Sequence, residues 1–158
     1  MSFSEYLVGT YDKRTKNLST VFQIINPTKR DLKVIAAFFG QDGDFRACLK
    51  TELLKSNDMC EFHLPAGLPD CGVVKFFSCW WEGGGLPQLK AGIVGYQRTE
   101  YKVKGVDPDH KPILKDFSNS ETVLASVPTN YAQEEFEDLM IMPPARFRAC
   151  HPVPVPPV

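Results

Sequence analysis

The residues best suited to chemistry in this 158-residue chain are five cysteines and three histidines. Cys60 and His63 form a C-x-x-H pair, and Cys71 and Cys79 follow. A structural zinc site would use such thiolates and imidazoles as closely paired ligands on tight turns. Residues 59–64 alternate as a half-buried strand, however, which sends Cys60 and His63 to opposite faces. No metal is therefore expected, and the thiols read as small buried hydrophobes. A cysteine nucleophile would need a base, and His63 is the one candidate to serve Cys71 or Cys48. His110 falls in a polar loop, His151 falls in the tail, and no G-x-S-x-G elbow is present. Gly83-Gly84-Gly85 is not followed by the Lys and Ser/Thr of a phosphate-binding loop, so these are turn glycines. Asp107 and Asp109 make a D-x-D pair with no calcium loop after it. The expectation is a protein without catalytic residues or cofactor.

Aromatic residues offer a second kind of site. Trp80 and Trp81 are adjacent on a strand, so one belongs to the core and the other to the opposite face, near the glycine loop and Tyr96. An exposed indole can stack on a sugar or anchor a protein contact. Trp80, Trp81 and Tyr96 are thus candidates for a carbohydrate, small-ligand or protein contact. The tail supplies a third candidate. Phe147, Pro152, Pro154, Pro156 and Pro157 lie on an extended, polyproline-like arm. Pro154-x-x-Pro157 is a minimal recognition pattern, but docking of the arm within an oligomer is the preferred reading.

The elements that must position these residues are mostly strands. Residues 18–25 and 32–39 are β-branched and aromatic runs on either side of Asn26-Pro27, which predicts a hairpin. Both faces of 32–39 are apolar, so this strand is either buried on both sides or meets another subunit. Residues 45–54 favour a strand over a short helix. Residues 72–81 form the strongest strand, and 89–98 the next, extended by 101–104. Residues 106–117 read as a polar loop, and 121–127 as a last short strand stopped by Pro128. Turn signals every 8–12 residues, without βα alternation, predict an all-β antiparallel sandwich of jelly-roll or immunoglobulin-like type. The division is a β body over 1–128, a short acidic helix over 129–142 and a Pro-rich arm over 143–158. Phe136, Leu139 and Met140 share one face of that helix.

Composition narrows the partners. A net charge of −1 argues against nucleic acid, which needs a cationic surface, and against a basic membrane anchor. No run approaches the length of a membrane span. The odd cysteine count and the lack of a basic-then-apolar leader pattern predict free thiols in a reducing, cytoplasmic setting. The order of strand, Asn-Pro turn, strand, glycine turn and late aromatic strand over residues 18–98 resembles the sensory rhodopsin transducer family. That resemblance implies a tetrameric intracellular β-sandwich and assigns no site residue. The expected function is a non-enzymatic structural protein that self-associates through sheet faces and the C-terminal arm. The alternative is a ligand-binding or intracellular adaptor module.

Overall fold

A computed structural model describes residues 4–51, 54–80, 88–90, 92–129 and 151–153. At Ser4, Glu5, Cys79, Trp80, 88–90, Pro128, Thr129 and 151–153 it describes the backbone alone. The described chain is all-β. The strands are β1 (Ser4–Asp12), β2 (Leu18–Ile25), β3 (Lys33–Gly40), β4 (Phe45–Thr51), β5 (Met59–His63) and β6 (Cys71–Trp80). There follow β7 (Gln88–Lys90), β8 (Val94–Val106), β9 (Pro112–Val123), β10 (Ala125–Thr129) and β11 (His151–Val153). One sheet runs β10-β1-β6-β3-β4-β11, with β7 also on β6, and the second runs β5-β2-β8-β9. Described pairings are antiparallel except that of β11 with β4, which is parallel.

The two sheets pack over one core. Leu7, Val34, Ala36, Phe38, Val74 and Phe76 of the larger sheet meet Phe22, Ile24, Cys60 and Phe62 of the smaller. Phe76 is the hinge of the contact, with ring centroids 5.2 Å from Phe22 and 5.4 Å from Phe62. Tilted and edge-on rings of this kind add to the burial of their area. β3 is buried on both faces, since Ile35 and Ala37 are as inaccessible as Val34, Ala36 and Phe38. Its two-sided apolar pattern therefore reports real burial.

The hairpin expected around Asn26-Pro27 does not form. β2 pairs with β5 and β8, whereas β3 pairs with β4 and β6, so the turn carries the chain from one sheet to the other. The reason lies in Asn26. Its buried side chain donates to the carbonyls of Arg30, Leu54 and Lys55 and accepts from the Thr28 N–H and hydroxyl. These bonds hold a wide corner instead of a tight turn, and they let the apolar faces of β2 and β3 meet across the core.

Residues 106–117 also differ from expectation. A loop occupies only 107–111, and Pro112 begins a 12-residue strand. Leu124 then breaks the strand pair β9 and β10, and the chain again crosses between sheets. Its N–H bonds to the Gly95 carbonyl and its side chain enters the core. β1, at the start of the chain, was not anticipated as a strand. The helix expected over 129–142 lies outside the described residues, apart from Thr129, which ends β10.

Candidate functional site

Among the described side chains, those of the β8–β9 ribbon are the most exposed. Asp107 and Lys111 close its turn: the Asp107 N–H donates to the Lys111 carbonyl at 2.9 Å, and the Lys111 N–H to Asp107 Oδ1 at 2.8 Å. His110 takes a left-handed conformation (φ 62°) inside the turn. β2 reaches only as far as the Leu18–Tyr101 pair, with one more bond from the Lys102 N–H to the Asn17 carbonyl. Beyond that point the ribbon runs on as two strands. Every residue of β9 is exposed, and among the described residues β9 forms the edge of its sheet. Val106, Ile113, Leu114 and Phe117 are between 40% and 60% exposed.

The alternation within this ribbon is broken once. The register shifts between Val103 and Lys104, where Val103 faces Asp116 and Lys104 faces Leu114. Lys115 is thus an extra residue, a β-bulge. Its aliphatic stem covers the space a side chain would take at Gly105. Lys102 sits 6.0 Å from the centre of the Phe117 ring.

Below the ribbon the outer face of the four-stranded sheet carries an ion network. Arg98 is central: its Nε lies 2.6 Å from Glu100, and its Nη atoms lie 3.5 Å from Glu61 and 4.0 Å from Glu121. Lys102 reaches the second oxygen of Glu100 at 3.0 Å. Hydrogen bonds from Lys102 and Arg98 hold the Glu100 carboxyl below its ordinary range. A bond from Gln23, then Arg98, does the same for Glu61. A carboxylate with a depressed folded pKa stabilises the fold above its unfolded pKa and loses that contribution as pH falls through the folded value. The melting temperature should therefore drop on acidification below the usual glutamate range. That drop should shrink in Arg98→Met, as a thermal melt series from pH 6 to pH 3 would reveal. An acid response identical in the two proteins would show that the network does not matter.

A cleft of about 710 Å³ opens at the other sheet, where the ends of β1, β3 and β6 meet. Thr10, Asp12, Phe39, Gln41, Cys71 and Lys75 are among its lining residues. Arg14 pairs with Asp12 at 2.8 Å and holds its carboxyl down to about 2. The Lys75 ammonium lies 5.0 Å from the Tyr6 ring centre and 5.4 Å from that of Phe39, within range of a cation–π contact. Cys71 is opposite Asp12 in the β1–β6 ladder, and among the described residues no histidine lines this cleft.

The other residues singled out by sequence are scattered. Cys60 is in the core and burial alone pushes its thiol up to about 12, while His63 stands exposed on the opposite face. Tyr96 is exposed on β8 of the four-stranded sheet, and Trp80 belongs to β6 of the other sheet. Trp81, Phe147, Pro154, Pro156 and Pro157 lie outside the described residues. Pro152 is paired with Lys50 in the β11–β4 ladder, on the edge position where a residue lacking an N–H is tolerated. Free thiols throughout were expected, and Cys60 and Cys71 are free, but Cys48 is disulfide-bonded. That bond removes the thiol argument for a reducing compartment. Among the described residues no helix is long and apolar enough to cross a membrane.

No family model matches the chain, and no curated protein matches it. Among solved structures, one titled "Crystal Structure of Thermotoga maritima 1070" aligns with a TM-score of 0.47 and 10% identity. The alignment covers 78% of this chain and 94% of that one.

Proposed function

We propose that this protein is a non-enzymatic assembly protein whose partner is a further copy of itself. The body is read as a β-sandwich of immunoglobulin or jelly-roll type, with the acidic helix and Pro-rich arm as appendages. The observation that carries this reading is the projecting β8–β9 ribbon. A two-stranded ribbon is marginal in water unless a further strand or packed surface supports it. Here its far half has no third strand among the described residues and displays Val106, Ile113, Leu114 and Phe117. Burying such side chains against a partner gains about 25 cal/mol per Å² of apolar area. The arm takes a lesser part in this reading, because β11 already pairs with β4 of its own chain.

The test is the solution mass of the full chain across a range of micromolar concentrations. It is compared with a variant in which Val106, Ile113, Leu114 and Phe117 are all threonine. The wild-type chain should form dimers or larger species, and the variant should be monomeric with an unchanged far-UV spectrum. A wild-type chain that stays monomeric at every concentration overturns the proposal.

A further inference from the structure

Resting on the self-association reading, we infer that the partner of β9 is β9 of a second copy. The pairing is antiparallel about a two-fold axis that passes between Lys115 and Asp116. For a pairing that covers the apolar residues Ile113, Leu114 and Phe117 on both sides of the bulge, the bulge selects this register. In a regular strand, self-pairing keeps opposed side chains on the same side of the sheet only if the axis passes through one residue and its own copy. One extra residue reverses the alternation. Pairing across the bulge then keeps sides matched only when the axis falls between two residues, and only at this place.

The sides can be followed from β8. Tyr101, Val103 and Gly105 share one face of that strand, and Ser118, Asp116 and Ile113 are their partners. Lys115 lies on this same face, over Gly105. Lys102, Lys104 and Val106 share the other face, with Phe117, Leu114 and Pro112 as partners. In the two-fold register Leu114 meets Phe117 of the second copy, and Ile113 meets Ser118. Each opposed pair lies on a single side. The alternatives one step to either side mismatch at the centre: one sets Leu114 against Lys115, and the other sets Asp116 against Phe117.

Charge agrees with this register. Lys115 of each copy faces Asp116 of the other, so two opposite-charge pairs flank the axis. Opposite charges directly across a ladder are favourable and like charges unfavourable. Bulges and charged residues ordinarily protect a sheet edge from pairing. In β9 both features are self-complementary about one axis, so they would select one partner. The contact is isologous, and it uses up the edge that it pairs, so it predicts a closed dimer and not a filament.

The experiment is sedimentation equilibrium on the full chain with Lys115→Asp, Asp116→Lys and the double exchange. These side chains are exposed, and far-UV spectra and melts confirm that each variant folds. Each single change sets two like-charge pairs at the axis and should weaken dimerisation at least about tenfold. The double exchange restores opposite charges and should recover most of that loss. A wild-type dimer or larger assembly that both single variants leave intact overturns the register while self-association stands. The same holds if the double exchange fails to recover what the single changes lose. A monomeric wild-type chain overturns both inferences.

Discussion

Asn26→Leu should lower the free energy of unfolding by about 3–5 kcal/mol, with the urea midpoint falling and the denaturant slope unchanged. Leucine is close to isosteric, so the change tests polar satisfaction and not volume. The Asn26 amide nitrogen lies 2.7 Å from the Arg30 carbonyl, 3.0 Å from that of Leu54 and 3.2 Å from that of Lys55. Its oxygen lies 3.0 Å from the Thr28 N–H donor nitrogen and 2.6 Å from the Thr28 hydroxyl. Leucine removes both sides of this arrangement at once. The Arg30, Leu54 and Lys55 carbonyls keep second donors in the Thr28 hydroxyl, the Leu32 N–H and the Asp58 N–H, so the loss is about 1 kcal/mol for each bond broken, with about 1–3 kcal/mol for the Thr28 N–H left without its acceptor. The main chain of Asn26 is also bound, to Asp58 and Asn57, so the corner cannot easily turn its freed groups to water. A loss of less than about 1 kcal/mol would mean that the corner is held by the backbone bonds alone.

Gly72→Ala should be comparably damaging, at about 3 kcal/mol or more, or should leave no soluble protein at all. β6 at Gly72 is clamped between Tyr11 of β1 and Gly40 of β3. A methyl group there would overlap the Phe39 carbonyl oxygen and approach the Tyr11 hydroxyl to 2.6 Å. Those two atoms are themselves hydrogen-bonded at 3.0 Å. The clash is with backbone, so no rotamer change relieves it, and forced overpacking of this kind typically costs 1–3 kcal/mol before any bond is broken. Gly43→Ala is the informative comparison. Gly43 has open space around it but a φ of +82°, so alanine should cost only about 1–2 kcal/mol. Gly72 has no left-handed φ, so equal losses at the two sites, by chemical denaturation, would show that the crowding at Gly72 is relieved by movement of its neighbours.

Legibility in the sequence followed the presence of a buried face. β2, β5 and β6 announced themselves because alternating or continuous apolar residues pack on the core, and β3 because it is covered on both sides. β9 failed that test for a physical reason: all twelve of its residues are exposed, so no core imposes a period on PILKDFSNSETV. Its one readable signal was Pro112, which can begin a strand but not sit inside one. The Asn26 corner was misread because Asn-Pro looks the same whether it returns a strand to its neighbour or sends it to the other sheet. That choice is made by Leu54 and Lys55, more than twenty residues away. The tryptophan pair drew attention through residue type. The ribbon, by contrast, is a candidate because of where its strands end relative to β2, and spacing along one chain cannot express that.

The placement of β1 has a consequence for how the protein is made. Ser4 pairs with Thr129, and Leu7 of the same strand pairs with Phe76 on its other side. On a ribosome adding roughly 5–20 residues per second, β1 emerges on the order of ten seconds before β10 exists. Through that interval Tyr6, Leu7 and Val8 have none of their final neighbours on that flank. Contacts so distant in sequence also slow folding after release, since loop closure must precede any gain from pairing. Any folding order that joins β1 to β6 first therefore leaves the outer flank of β1 as an open sheet edge until β10 closes it.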